Sequence, residues 1–251
     1  MTKYFQKKRL LNDDISNIFN HIQQNSVDMV ILDPPYGIGN KKLSHKGKNW
    51  KKSDEDWDQF ESIEEQYQSY LKWLTLIKDA MKDTGNLFLC ASFHNLYLCG
   101  EILQRQLGMK IVNSIVWYKD NAMFNVTQSG LIESTEHLIW AAKSKDYYFD
   151  YEASKTFAQG KQLRNVWISS MTPTSERVGH PHQKPIWLVQ RCLEIGCPKG
   201  GFVLDPMCGS GTTAVACEGL GLDYLCVEKN QEYFEQAKER LSNSVNIFGA
   251  S

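Results

Sequence analysis

Phe202-Val203-Leu204-Asp205-Pro206-Met207-Cys208-Gly209-Ser210-Gly211-Thr212-Thr213 runs from an apolar stretch into a glycine turn and on into residues that favour a helix. The apolar residues closed by Asp205 read as a buried strand and its end. Gly209 and Gly211 permit positive φ and close approach of the backbone to a ligand, and Thr212 to Gly219 reads as the helix that follows. Tyr224-Leu225-Cys226-Val227-Glu228 is then a second strand ending in an acid. Strand, turn, helix and strand in that order build a parallel sheet, and open α/β sheets place ligands beyond the carboxyl ends of their strands.

Glycine turns ahead of a helix commonly hold phosphate on the helix N-terminus. Here no Lys follows Gly211, so the P-loop pattern fails, and the third glycine of the dinucleotide fingerprint is missing. Glu228, at the end of the next strand, is placed to accept from both ribose hydroxyls of an adenosine-bearing cofactor. Over an uncharged turn, S-adenosylmethionine fits better than a dinucleotide.

A second short word lies far upstream. Met29-Val30-Ile31-Leu32 reads as a buried strand, and Asp33-Pro34-Pro35-Tyr36 closes it. The prolines deny the backbone an α conformation after Asp33 and leave carbonyls without ladder partners, so a carboxylate and a peptide oxygen point at one ligand. Both are acceptors, which suits an amino group with two hydrogens to give. Tyr36 offers a flat face to a planar ring, a stacking contact worth roughly 1–3 kcal/mol. A proline turn that merely ends a strand is the plainer reading, and the coincidence with the downstream glycine turn argues against it.

The rest of the chain supplies the sheet. Apolar spacing at Tyr70, Leu71, Leu74, Ile77 and Met81 predicts a helix over 67–81, followed after the Asp83-Thr84-Gly85 turn by a strand over 86–90. A helix over 96–107 stops at Gly108, strands follow over 111–118 and at His137-Leu138-Ile139-Trp140, and helices over 186–195 and 233–241 complete the pattern. Alternating strands and helices over 251 residues, 42% of them hydrophobic, fit one domain over 1–251 with a parallel sheet and helices on both faces.

Composition excludes other classes. No apolar stretch approaches a membrane span, and Met1-Thr2-Lys3-Tyr4-Phe5-Gln6-Lys7-Lys8 lacks a signal peptide's apolar core, so a cytoplasmic protein with no membrane partner is expected. Cys90, Cys99, Cys192, Cys197, Cys208, Cys217 and Cys226 form no Cys-x-x-Cys pair and are expected to be reduced and mostly buried. Neither they nor the six His show ligand spacing, and no metal is expected.

A net charge of −1 gives no global attraction for nucleic acid, but the local pattern does. Lys41, Lys42, Lys46, Lys48, Lys51 and Lys52, with His45 and Trp50, crowd a charged loop over 37–65. Next to Tyr36, such a loop suits a phosphate backbone. A solvated loop balanced by the acids that follow, Asp54 to Glu65, is the alternative. Residues 143–179 break the strand-helix rhythm with Tyr147, Tyr148, Phe149, Tyr151, Phe157, Trp167, Arg164 and Arg177 among Ser, Thr and Gln. Aromatics and arginines suit groove and base-edge contact, while Tyr147 to Tyr151 is equally compatible with a strand packed on the core.

In both words and in their order the chain resembles the DNA amino-methyltransferases of the β arrangement, in which the catalytic motif precedes the cofactor motif. It looks closest to small adenine-specific members of the restriction-modification type. Asn25-Ser26-Val27-Asp28 resembles the family's lead-in to the first strand, and His180-Pro181-His182-Gln183-Lys184-Pro185 matches the motif ahead of its glycine turn. Ser134-Thr135-Glu136 also matches. The resemblance implies an α/β, Rossmann-like S-adenosylmethionine-dependent methyltransferase fold, mostly parallel with one antiparallel strand, in circularly permuted motif order. It implies catalysis by Asp33, Pro34, Pro35 and Tyr36, and cofactor contacts from Asp14, Asp33, His180, Lys184, Asp205, Gly209, Ser210, Gly211, Thr212 and Glu228. DNA contacts would come from the six lysines of the charged loop and from Arg164 and Arg177, since residues 143–179 coincide with the family's target-recognition region. Relatives are often dimers, so a homodimer and a cognate restriction endonuclease are implied partners beside DNA. The chain departs from the pattern at Met207, where Phe is frequent, and at Asn121-Ala122-Met123-Phe124-Asn125-Val126, where many relatives carry prolines ending in an Arg near the place of Ser129.

The chemistry follows from the amine. Its lone pair is delocalised into the ring, so it must be reshaped before it attacks. If Asp33 and the Pro34 carbonyl accept its two N–H groups, the nitrogen is drawn towards tetrahedral geometry with its lone pair aimed at the methyl donor. An adenine in duplex DNA must first be flipped out, with Tyr36 stacking on it. Asp at position 33 favours adenine over cytosine, whose N4-methylating relatives more often carry Ser there. RNA and protein glutamine methyltransferases normally place the cofactor motif first, which the order here opposes. A non-catalytic DNA-binding partner with the same fold is the reading from another class.

Overall fold

The computed structural model describes residues 8–37, 44–45, 48–49, 58–122, 130–178 and 183–248. In chain order the elements are β1 (Lys8–Asn12), β2 (Val27–Leu32), β3 (Ser44–His45), β4 (Lys48–Asn49), α1 (Ile63–Ala80), β5 (Met81–Ala91) and α2 (Leu96–Glu101). They continue with β6 (Lys110–Lys119), β7 (Thr135–Ala142), α3 (Tyr151–Thr156), β8 (Val166–Ser169), α4 (Ile186–Gly196), β9 (Phe202–Asp205), α5 (Thr212–Leu220), β10 (Asp223–Glu228) and α6 (Gln231–Phe248).

Eight strands form one sheet in the order β1-β10-β9-β2-β5-β7-β6-β8. Pairing is parallel except where β7 lies antiparallel between β5 and β6. Period-two alternation divides the core between the two faces. Val30, Leu32, Leu87 and Leu89 meet α1 through Tyr70, Leu74 and Ile77. Met29, Ile31, Phe88 and Cys90 instead meet α4 and α5 through Leu188, Val189, Cys192, Ala214 and Cys217. All seven cysteines are buried and free. Among the described residues, no helix is long and apolar enough to cross a membrane and no His, Cys, Asp or Glu cluster could hold a metal ion.

The two words end neighbouring strands. Met29 pairs with Val203 and Val30 with Leu204, so late β9 lies against early β2. A change of chain direction at this point opens a crevice at the carboxyl ends, the place where doubly wound sheets bind ligands. Permuted motif order therefore brings Asp33 beside the glycine turn, although 172 residues separate Asp33 from Asp205.

Three boundaries differ from the sequence expectation. Met81 opens β5 instead of closing α1, because its backbone is already extended (φ −70°, ψ 141°). The expected turn at Asp83-Thr84-Gly85 lies inside β5 as an irregularity, with Val27 opposite Met81 and Met29 opposite Asn86. The helix expected over 96–107 is α2 followed by a π turn over Ile102–Gln106, closed by the Leu107 N–H on the Ile102 carbonyl (3.0 Å) before Gly108 at φ +61°. The chain over 143–179 contributes more order than expected: α3, capped by Asp150, lies on α4, and β8 extends the sheet alongside β6. Tyr147 and Phe149 pack on Trp140 without forming a strand, and Trp167 is buried. Trp167 belongs to the core and Tyr147 packs partly buried against it, whereas Phe149 is 40% exposed.

Candidate active site

One cavity of about 840 Å³ runs along the carboxyl ends of β10, β9, β2 and β5. Asp14, Asp33, Pro34, Pro35, Tyr36, Lys184, Asp205, Gly209, Ser210, Thr212 and Glu228 all line it. The structure thus gathers both words, the acid after β10 and the Lys184 of the upstream motif. Gly211 does not line it. Held at φ +76°, it starts α5, and a Cβ there would meet the Ala237 Cβ at 2.9 Å, so its role is to seat the turn on α6. His180 lies outside the described residues.

At the glycine-turn end the acids brace the loops. Glu228 accepts from the Gly209 N–H and the Asn230 N–H, both at 2.8 Å, while burial raises its carboxyl against these and the Lys229 backbone bond. A carboxylate offers about four acceptor positions, so capacity remains for a hydroxyl donor. Asp205 accepts from the Thr213 hydroxyl at 2.5 Å and the Met207 N–H at 3.2 Å. Asp14 caps the 3₁₀ turn over Ile15–Asn20 through Ser16 and pairs with Lys229 at 3.1 Å. Thr212 donates to the Lys184 carbonyl (3.1 Å) and accepts from the buried Arg240 (2.9 Å), which ties the turn to α6.

At the Asp33 end the carboxylate is held from two sides. Tyr36 Oη donates to Oδ1 at 2.7 Å, and Lys184 Nζ donates to Oδ2 at 2.6 Å. Burial would depress the Lys184 ammonium, but Asp33 and Glu136 hold it well above its ordinary value. Burial and the neighbouring Asp33 charge raise Tyr36, which keeps its proton and remains a donor. The ammonium also lies 5.4 Å from the Tyr36 ring centroid. Lys184, expected among the cofactor contacts, is bonded to the Asp33 carboxylate.

The backbone of the first word is sorted as well. Tyr70 of α1 donates to the Pro35 carbonyl, and Gln66 donates to the Tyr36 carbonyl at 3.2 Å. Among the described residues the Pro34 carbonyl receives no hydrogen bond, which leaves it as the unspent backbone acceptor beside Asp33. Tyr70 is fixed in turn by Asn95 and Gln66, both at 3.2 Å.

Sequence reading overlooked Tyr70, Gln66 and Glu136 as supports, and Phe60, Trp73 and Tyr233 as cavity lining. Phe60, Tyr70 and Trp73 form one aromatic group, with centroids 5.8–6.4 Å apart. Tyr70 and Trp73 on α1 read only as part of a helix, and Phe60 precedes it. A polar Gln66 and a Tyr70 hydroxyl on that helix were the available signal.

The expected DNA contacts divide. Lys41, Lys42, Lys46, Lys51 and Lys52 lie outside the described residues, as do residues 123–129 with the departure at Ser129. Lys48 sits in β4, opposite His45 of β3. The Gly37 N–H donates to Asp58 at 2.7 Å, so the charged stretch leaves and returns at the cavity wall. Arg177 follows β8 on the cavity side, where Gln183 bonds the Glu176 carbonyl and the Val178 N–H. Arg164 precedes β8 and stands at the opposite end of the sheet, away from a base bound in the cavity.

A family model described as DNA methylase, for N6 and N4 methyltransferases, matches residues 27–239, and the chain belongs to that family. Type II methyltransferase M2.LlaDCHI of Lactococcus lactis subsp. cremoris is 35% identical over 251 residues, covering 96% of this chain and 93% of that protein. Type II methyltransferase M2.DpnII of Streptococcus pneumoniae is 34% identical over 250 residues, with the same coverage of 96% and 93%. The M1.HpyAVI–SAM complex shares the fold at a TM-score of 0.70 and 23% identity, over 93% of this chain and 98% of that one. PvuII DNA methyltransferase, cytosine-N4-specific, shares it at 0.72 and 14% identity, over 97% and 92%. The chain is a DNA methyltransferase built on the family's permuted α/β fold.

Proposed function

We propose that the protein methylates the exocyclic amino group of adenine at specific sites in DNA, with S-adenosylmethionine as methyl donor. The observation that carries this reading is the pairing of the Asp33 carboxylate with the unspent Pro34 carbonyl on the wall of the cavity that also holds Glu228 and the glycine turn. The volume suits a nucleoside-sized cofactor, since ligand pockets run from roughly 300 to 1,000 Å³. Its Glu228 end has acceptors for ribose hydroxyls, and the Asp33 end has acceptors for an amine.

When bound, S-adenosylmethionine supplies an electrophilic sulfonium methyl. Asp33 and the Pro34 carbonyl take the two N–H groups of the target and orient its lone pair along the cavity, which is catalysis by positioning and preorganised electrostatics. Tyr36 fixes Asp33 through its hydroxyl and presents its ring to the base, and Asp33 or water accepts the surplus proton. Adenine is favoured because Asp stands where cytosine-N4 relatives more often carry Ser. The two curated relatives are named Type II methyltransferases, which supports a place in a restriction-modification system beside a cognate endonuclease. A cytoplasmic protein, acting alone or as a homodimer, fits that role.

Incubation with methyl-labelled S-adenosylmethionine and unmethylated bacterial genomic DNA, followed by digestion and mass identification of the labelled nucleoside, tests the reading. Label in methyladenine is expected. Label in methylcytosine would overturn the base assignment, and no label in DNA would overturn the reaction. Asp33→Ala should abolish transfer while leaving calorimetric cofactor affinity largely intact, because the carboxylate is assigned to the target amine.

A further inference from the structure

Both oxygens of Asp33 already carry a donor, so a target amine must share the carboxylate with them or displace one. Its Oδ1 carries the Tyr36 hydroxyl, and its Oδ2 carries the Lys184 ammonium at 2.6 Å. Lys184 is only 9% exposed, and its ammonium lies 5.4 Å from the centre of the Tyr36 ring. A base stacked on that ring with its amine against Asp33 competes with the ammonium for the same carboxylate. As the methyl arrives, the amine also gains positive charge, and a cation on the same carboxylate opposes it. Yet a buried ammonium cannot simply let go, because breaking a buried ion pair leaves an uncompensated charge.

Behind Lys184 stands Glu136, near the start of the antiparallel strand β7. Its Oε1 accepts from Lys119 at 3.1 Å, and its Oε2 is buried with no hydrogen bond among the described residues. That unbonded oxygen lies 3.5 Å from Lys184 Nζ. A move of less than about 1 Å brings the pair to the 2.7–2.9 Å of a charge-assisted hydrogen bond. Buried acceptors without a partner are rare in native structures and call for an explanation. Asp33, Tyr36, Cys90 and Glu136 are titratable groups around the ammonium, and Glu136 brings a buried carboxylate oxygen that has no hydrogen bond among the described residues.

We propose that Glu136 is a positioning residue for methyl transfer: it receives the Lys184 ammonium when the target amine takes over Asp33, so that the exchange leaves no buried cation unpaired. The inference rests on Asp33 as the acceptor of the target amine, as argued above. It assigns Lys184 two stations, Asp33 without target and Glu136 with it.

Two substitutions in the full-length protein separate charge from shape. Glu136→Gln keeps the shape and removes the charge; Glu136→Asp keeps the charge and shortens the arm. Single-turnover rates on DNA, with cofactor affinity and thermal midpoint in parallel, give the readout. Glu136→Gln should lower the rate roughly 10- to 100-fold with cofactor affinity unchanged, the range of a lost charge-assisted hydrogen bond. Glu136→Asp should lose less. A Gln variant at the wild-type rate, or an Asp variant slower than Gln, would overturn the inference and leave Glu136 as a shape-filling residue. Wild-type protein that labels no adenine removes the reading beneath it, a failure visible before either variant is compared.

Discussion

Asp205 sits beneath the glycine turn with both oxygens bonded, and burial pushes its carboxyl up to about 7 from an ordinary 3.8 despite those bonds, with Asp33 and Glu228 adding to the rise. The folded state therefore holds this proton more tightly than the unfolded chain does. Its contribution favours folding below the ordinary value and is lost as pH rises towards about 7, so for this group stability falls with pH across that window. A sulfonium arriving in the same cavity reverses the preference, since a nearby positive charge favours the ionised carboxylate. Cofactor binding just below pH 7 should then release a proton from Asp205. Calorimetric enthalpies measured in two buffers of different ionisation heat should diverge there and converge well above that pH. Identical enthalpies at both would place Asp205 outside the cofactor's field. Asp33, on the neighbouring strand end, accepts from the Tyr36 hydroxyl and the Lys184 ammonium.

At the scale of elements, the turn between β9 and α5 is fixed from behind by α6. Gly211 has φ +76°, and an added Cβ would lie 2.9 Å from the Ala237 Cβ. Left-handed backbone costs an L-residue roughly 1–2 kcal/mol, and overpacking adds roughly 1–3 kcal/mol. Gly211→Ala should therefore cost both terms and weaken cofactor binding by displacing the turn. Gly221 at the other end of α5, with φ +65° and open space around it, supplies the control: Gly221→Ala should cost the backbone term alone. Equal losses of thermal midpoint for the two variants would remove the contact with α6 from the account. Strand ends, turns and helices of this kind are legible in sequence because local periodicity and turn chemistry determine them, which is why Asp33, Asp205, Gly209 and Glu228 can be read as site residues. Glu136, Tyr70 and Gln66 reach the site through strand order and helix facing, which no local pattern encodes. Trp167 is core for the same reason, since β8 runs alongside β6 and sets its ring among the buried side chains of that face.

For the molecule as a whole, a net charge of −1 leaves association with DNA to local features. The stretch holding Lys41, Lys42, Lys46, Lys48, Lys51 and Lys52 departs at Gly37 and returns at Asp58, and these two residues are bonded to each other at the cavity wall. The two ends of that stretch therefore meet beside the cavity. Each phosphate neutralised by a protein cation releases counterions, and for duplex DNA the slope of log affinity against log salt is about −0.9 per phosphate. Replacing all six lysines by Gln should flatten that slope by several units, up to about five if every lysine meets a phosphate. Cofactor affinity should stay unchanged, because the glycine turn and Glu228 belong to other strands. Binding isotherms for one duplex at several salt concentrations give the slope directly. A variant with the wild-type slope would mean that the lysines balance Asp54 to Glu65 in solution, and the phosphate contacts would then have to come from the Arg177 side of the cavity.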